Sequence, residues 1–433
     1  MKLSHKNTLG TFLGITFGLL SIMDPMIARA DVRLKKWMKV NGSREYFIEH
    51  VGGALRASQY GKGVAVLSGL ATRSGIDPSM GQLRFIDAPG KPNFLLKNGE
   101  LTLANGSVLK VSRVDDFRMS PDGSTMAAMV VPETPGQCTT CVFLINTTSA
   151  IGTELTSSQF FPGGTVPTNV TVFAIVSFYF SPAGQSLYVA SQHGEKGSYP
   201  NFTPTSYRTL SKYDLASGNS QAVSQQSPAD TTMSIDHITT NEAFALVNRG
   251  DFITSRINLA TGESTDLVTK NDEYVKGLWL SNDGETAIFH LDYLSALREG
   301  RTTRRFRLLR LKSGKETFLS CTDRKRRYST EFRDATVSGD GKFVTFTSWD
   351  NIGLGEQGPN ILEVGVLNLT SGACAYLGET ERYVYNSDGA ITDDGSTLFF
   401  LQGQRKPGAD TTIATTVYSA TVKDIFKKGN RVK

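Results

Sequence analysis

The chain has 433 residues, 39% of them hydrophobic and 20% charged, with a formal net charge of +5 at pH 7. That apolar content is ample for a folded core and excludes an intrinsically disordered class, and the mild charge lacks the strongly basic footprint of a nucleic-acid-binding domain. With 42 glycines and only four cysteines, the chain is organised by turns and not by a dense disulfide framework.

In chain order, the first element is a targeting segment. Lys2 and Lys6 precede an apolar run from Leu9 to Met23, which ends at Ala28-Arg29-Ala30. A basic start, an apolar stretch and a small-x-small site predict a cleaved secretory signal over residues 1–30. The alternative, a membrane anchor, needs a longer apolar run and is disfavoured. The mature chain is therefore expected to be periplasmic or secreted and not membrane-spanning. Residues 31–50 read as two short strands around Asn41-Gly42, expected to help close a larger β-structure. The other candidate for closure is the stretch 415–426, and residues 427–433 read as a basic tail.

Between residues 51 and 426 two turn signatures alternate. One is apolar-Ser-x-Asp-Gly, at Ser58-Gln59-Tyr60-Gly61, Ser120-Pro121-Asp122-Gly123, Ser181-Pro182-Ala183-Gly184, Ser281-Asn282-Asp283-Gly284, Ser338-Gly339-Asp340-Gly341 and Thr392-Asp393-Asp394-Gly395. The other ends an apolar strand in a tight turn, as in "KYDLASGNSQAV", "RINLATGESTDLV" and "VLNLTSGACAYL". Glycine accepts positive φ there, and Asp, Asn and Ser bond back to the backbone. Glycines of the first signature stand at 61, 123, 184, 284, 341 and 395, and the widest gap holds a worn copy, "HITTNEAFALV", at 237–247. The count is seven units of about four short strands each. A fixed period of about 40–60 residues predicts an all-β fold, a β-propeller of seven blades of four antiparallel strands.

These repeats resemble those of the TolB-type periplasmic propellers, over roughly residues 50–425. The resemblance implies a periplasmic propeller that serves as a protein–protein interaction module. It departs in two respects: residues 31–50 cannot supply the α/β domain that precedes the TolB propeller, and that propeller has six blades.

In a four-stranded blade the two signature turns fall on one face of the disc. The other face then takes the longer connections, at 71–82, 131–141, 191–207, 294–304, 349–361 and 403–413, and is the expected binding face. Twelve Lys and Arg lie between Arg298 and Arg327, against Glu299, Glu316 and Asp323. Arg301, Arg304, Arg305, Arg324, Lys325, Arg326 and Arg327 are the candidate contacts for an envelope protein or an anionic envelope polymer. The alternative reading is a solvated edge strand that resists edge pairing.

Chemistry-bearing residues are sparse. Cys138 and Cys141 in "CTTC" read as a local disulfide, whereas Cys321 and Cys374 fall near opposite faces, which disfavours their pairing unless blade twist brings the strand ends together. The histidines after residue 30 fall in separate units, so no metal or cofactor is expected. No Gly-x-Ser-x-Gly nucleophile motif occurs. Asp115, Asp116, His237 and Asp334 precede the inner turns and are the candidates for an axial site. The functional expectation is a non-catalytic scaffold in the cell envelope that binds through the long-connection face. The alternatives are a lactonase-like or sugar-acting hydrolase with an axial site, or a propeller that binds a glycan or small molecule.

Overall fold

The computed structural model describes residues 32–39, 45–47, 55–57, 63–72, 75–134, 141–160, 170–195, 207–226, 233–249, 253–268, 275–291, 305–319, 321, 330–351, 360–377, 384–404, 413–428 and 430–432. Seven sheets follow in order, numbered here as blades 1 to 7. Their innermost strands are Leu55–Ala57, Val108–Met119, Val170–Phe180, Met233–Ile238, Val275–Leu280, Thr330–Val337 and Val384–Ile391. Each of these touches the next, and the last touches the first. The result is a propeller. Six of the blades are open ladders of four or five strands. Blade 2 instead closes on itself, because Glu100–Leu103 lies parallel against its outer strand Ile151–Leu155.

The turn chemistry recurs where the motif keeps its Asp, while the Ser181 turn, with Ala183, retains of the side-chain bonds only that from Ser186 N to Ser181 Oγ at 3.0 Å. In blade 2, Ser120 Oγ donates to Asp122 Oδ1 at 2.6 Å, and that carboxylate accepts from Ser124 N at 3.0 Å. Thr125 N donates to Ser120 Oγ at 2.9 Å, and Gly123 sits at φ +76°. Asp283, Asp340 and Asp394 repeat the arrangement. The worn copy places Glu242, not glycine, in the left-handed region at φ +53°. Its carboxylate is held by Tyr188 Oη at 2.8 Å and Lys212 Nζ at 2.7 Å, contacts that offset the backbone strain. The turn of Ser58 lies outside the described residues.

Burial follows the ring. Blade faces alternate apolar residues, and each apolar cluster fills the space between two neighbouring blades. Phe85 of blade 1 packs with Phe117 and Phe143 of blade 2, and Leu246 of blade 4 with Leu280 and Phe289 of blade 5. The ring closes where strand Lys35–Lys39 pairs antiparallel with Ile413–Thr421, so the outermost strand of blade 7 comes from the N-terminal end. Trp37 is buried there, donates to Ser419 Oγ at 2.9 Å and meets Phe399 edge-on. The two strands around Asn41-Gly42 do not form a hairpin: Glu45–Phe47 joins blade 1.

Four readings of the sequence need correction. The stretch 71–82 is not a loop, because strands Val64–Thr72 and Gly75–Ile86 run nearly to its tip and pair Thr72 with Gly75. The stretch 415–426 is only partly strand: the chain turns into helix Val422–Lys428, where Val422 and Ile425 face the core between blades 6 and 7. Part of the basic tail, Asn430–Val432, then adds a fifth strand to blade 6. Finally, Cys321 and Cys374 are joined, with Cα atoms 5.6 Å apart. Strand twist accumulates from the axis to the rim. The short outer strand Cys374–Tyr376 of blade 6 thereby lies across the end of blade 5, and Tyr376 Oη donates to the Cys321 carbonyl at 2.8 Å.

Candidate functional site at the ring axis

Apart from Ala390 before Thr392, the second residue before each turn Ser or Thr carries a side chain that crosses from its innermost strand to the next blade. Arg56 reaches Asp116 at 3.5 Å and stands 5.6 Å from the Phe117 ring. Arg118 lies 4.9 Å over the Tyr179 ring and 3.8 Å from Asp116. Tyr179 meets His237, and His237 meets Trp279, each pair with ring centroids 6.0 Å apart. Trp279 Nε1 donates to the Gly339 carbonyl at 3.0 Å. Thr336 Oγ1 continues the sequence to Gly389 O at 3.4 Å. One position of the repeat therefore supplies a belt of side chains around the axis.

A β-bulge in each innermost strand of blades 2 to 7 aims these residues. In blade 4 the extra residue is Asp236, between Ile235 and His237. Asp236 fits only because its neighbour is glycine. A Cβ at Gly277 would stand 2.9 Å from Asp236 Oδ2 and 2.7 Å from Leu246 Cδ2. The neighbouring Gly277 amide favours the ionised Asp236 carboxylate. Its Oδ2 is buried with no hydrogen-bond partner in the protein, and so is Arg118 Nε. Among the described residues the axis thus carries an acceptor, Asp236 Oδ2, and a donor, Arg118 Nε, that make no hydrogen bond, the donor lying 3.8 Å from Asp116.

The electrostatics follow from burial. Asp236 is pushed up to about 7 by loss of water, against the pull of Lys276, Arg118 and the Gly277 amide. Tyr179 rises to about 12, first through burial and then through Asp393. Asp393 itself, pressed against Gly339 at the inner-turn end of the axis, rises to about 7 through burial and then through Asp394 and Asp340. His237 falls to about 3 through burial and the nearby Arg118 charge. Its Nδ1 accepts from Leu280 N at 3.3 Å, so the neutral ring carries its proton on Nε2. The cluster can therefore present a fixed cation, a neutral imidazole and two carboxyl groups that exchange protons near neutrality.

Of the axial candidates, Asp116 and His237 both adjoin Arg118. Asp115 turns outward to Arg113 at 2.6 Å. Asp334 lies on the innermost strand of blade 6, and its side chain is outside the described residues. Arg301, Arg304, Arg324, Lys325, Arg326 and Arg327 also lie outside them. Arg305 opens the third strand of blade 5. Cys141 is disulfide-bonded, whereas Cys138 lies outside the described residues. Among the described residues no three His, Cys, Asp or Glu side chains converge as metal ligands. Sequence reasoning missed Arg118, Tyr179, Asp236 and Trp279. Arg118, Tyr179 and Trp279 share with His237 the same offset from the turn Ser or Thr, a signal the repeat alignment contains.

No family model and no curated protein matches the sequence. Among solved structures, the chain is similar to an oligogalacturonate lyase from Vibrio parahaemolyticus, at 10% identity and a TM-score of 0.52, over 90% of this chain and 97% of that one. It is also similar to an oligogalacturonate lyase in complex with manganese, at 13% identity and a TM-score of 0.50, over 90% of this chain and 98% of that one. At these identities the likeness establishes the propeller fold.

Proposed function

We propose that this protein is an exported propeller that binds and acts on an acidic oligosaccharide at its axis. The observation that carries the proposal is the convergence of Arg118, Tyr179 and Asp236 from three consecutive blades, with Asp236 Oδ2 lacking a hydrogen-bond partner and Arg118 Nε held only by its 3.8 Å ion pair to Asp116. Buried polar groups are almost always satisfied, so an acceptor and a donor that make no hydrogen bond in one cluster favour a hydroxyl-bearing ligand. The Arg118 and Lys276 charges favour an anionic one. Both structural relatives are named as oligogalacturonate lyases, which makes a uronate oligosaccharide the first probe. The manganese named with one of them does not fit the described residues, which bring no three suitable ligands together, so no step is routed through a metal. Export is supported by the signal-like residues 1–30 and by the Cys321–Cys374 disulfide, since such bonds persist in oxidising compartments.

The test is calorimetric titration and product chromatography with oligogalacturonate and other acidic oligosaccharides. Binding that weakens roughly tenfold or more in Arg118→Lys, from loss of a charge-assisted contact, is the expected result. No heat and no product with any of them would refute the reading. The excess of basic residues between Arg298 and Arg327 favours a second reading, docking of an acidic envelope component. Charge reversal of Arg324, Lys325, Arg326 and Arg327 should then abolish salt-sensitive capture of that component, and unchanged capture would remove this sector from consideration.

A further inference from the structure

Asp236 is set into the axis by the strand that carries it. It stands on a bulge, in a notch that exists because residue 277 lacks a side chain, with Oδ2 buried and without a hydrogen-bond partner. The groups facing it come from every neighbouring element. Arg118, itself 3.8 Å from Asp116, acts from blade 2, Tyr179 from blade 3 and Lys276 from blade 5, while Leu246 lines the notch at Gly277. Lys276 is exposed, and Arg118 has a spare N–H. An anionic ligand and the Asp236 carboxylate would therefore compete for the same two cations.

We propose that Asp236 sets the charge selectivity of the axial site through its proton: when protonated it leaves Arg118 and Lys276 to an anionic ligand, and when ionised it reclaims them. This inference rests on the axial-ligand reading above. Burial supports it independently of the contacts, because it pushes the Asp236 carboxyl up to about 7, into the range where a modest pH change alters its charge. His237, held neutral down to about 3, and Tyr179, held neutral up to about 12, do not titrate in that range. Across the ring, Asp393 acts on Tyr179 and is the other group that titrates there.

The experiment measures affinity for trigalacturonate and for a neutral galacto-oligosaccharide of equal length between pH 5.5 and 8.5. Uronate carboxyls stay ionised throughout that range. In the wild type, affinity for the acidic probe should fall with rising pH, approaching a limit of roughly tenfold per pH unit for one linked proton. Affinity for the neutral probe should not fall. Asp236→Asn should flatten the acidic-probe profile, and Asp393→Asn should leave it sloped. In Gly277→Ala, which expels Asp236 from its notch, the Asp236 carboxyl should titrate nearer the ordinary range when followed by carbon NMR. A flat wild-type profile with the acidic probe bound would overturn the inference and spare the axial-ligand reading. So would a slope that survives in Asp236→Asn. Failure of the acidic probe to bind at any pH would overturn both.

Discussion

Replacing both Cys321 and Cys374 with alanine tests how the ring is stapled. The bond closes a loop across 53 residues and joins the rims of blades 5 and 6. Chain entropy alone gives about 4 kcal/mol of stabilisation for a loop of that size. The two sulfurs also lie in an apolar cluster with Val344, Phe346 and Tyr376, so their removal leaves a small void as well. The contact between Tyr376 Oη and the Cys321 carbonyl persists in the variant, because it uses the backbone. For a domain of this size, about 4 kcal/mol corresponds to a fall in Tm of roughly 5 °C. The assay is guanidinium and thermal unfolding of purified wild type and double variant, followed by near-UV circular dichroism. Protease sites in blades 5 and 6 should open first in the variant, while blade 7, closed by its own strand pairing, stays protected. An unchanged midpoint and m-value would refute the claim that this bond constrains the unfolded chain. A fall confined to blade 7 would refute the assignment of the staple to the neighbouring rims.

Three further predictions follow from the contacts. Gly341→Ala should destabilise by about 1–3 kcal/mol in a denaturant melt, because its φ of +69° is unfavourable and its Cβ would lie 2.5 Å from the Trp279 ring. Gly314→Ala, at φ +62° with open space around it, should cost only about 1 kcal/mol, and equal losses would show that the ring contact is irrelevant. Trp37→Ala removes a buried ring from the closing strand and should cost about 3–5 kcal/mol, with hydrogen exchange accelerated first in Ile413–Thr421. For Asp393, the carboxyl is raised from its ordinary range to about 7, so the folded state holds the proton more tightly than the unfolded one. That contribution is complete below the ordinary carboxylate range and is lost as pH rises through about 7. Asp393→Asn should therefore unfold at higher denaturant than wild type at pH 8 and lose that advantage near pH 4. A pH-independent difference would contradict the assignment.

The repeat itself was legible because turns are local chemistry. Ser120, Asp122 and Gly123 satisfy one another within a few residues, so the motif shows in the sequence wherever the turn occurs. Glu242 could be read as a worn glycine for the same reason, although what holds it, Tyr188 and Lys212, comes from the preceding blade. The axial belt was only half legible. Its positions recur at a fixed offset from the turns, yet nothing local distinguishes Arg118 or Tyr179 from an ordinary strand residue. Asp236 could not be recognised from sequence, because its setting depends on a bulge, on the missing side chain of Gly277 and on charges from blades 2 and 5. The pairing of Cys321 with Cys374 was left open by the sequence because face assignments treat strands as flat, whereas twist carries the rim of one blade over the next. The amino-acid sequence by itself determined the period, the turns and hence a propeller. Only the tertiary structure decided which strands close the ring, which cysteines meet and which side chains share the axis. These depend on contacts between residues tens to hundreds of positions apart, which no local pattern encodes.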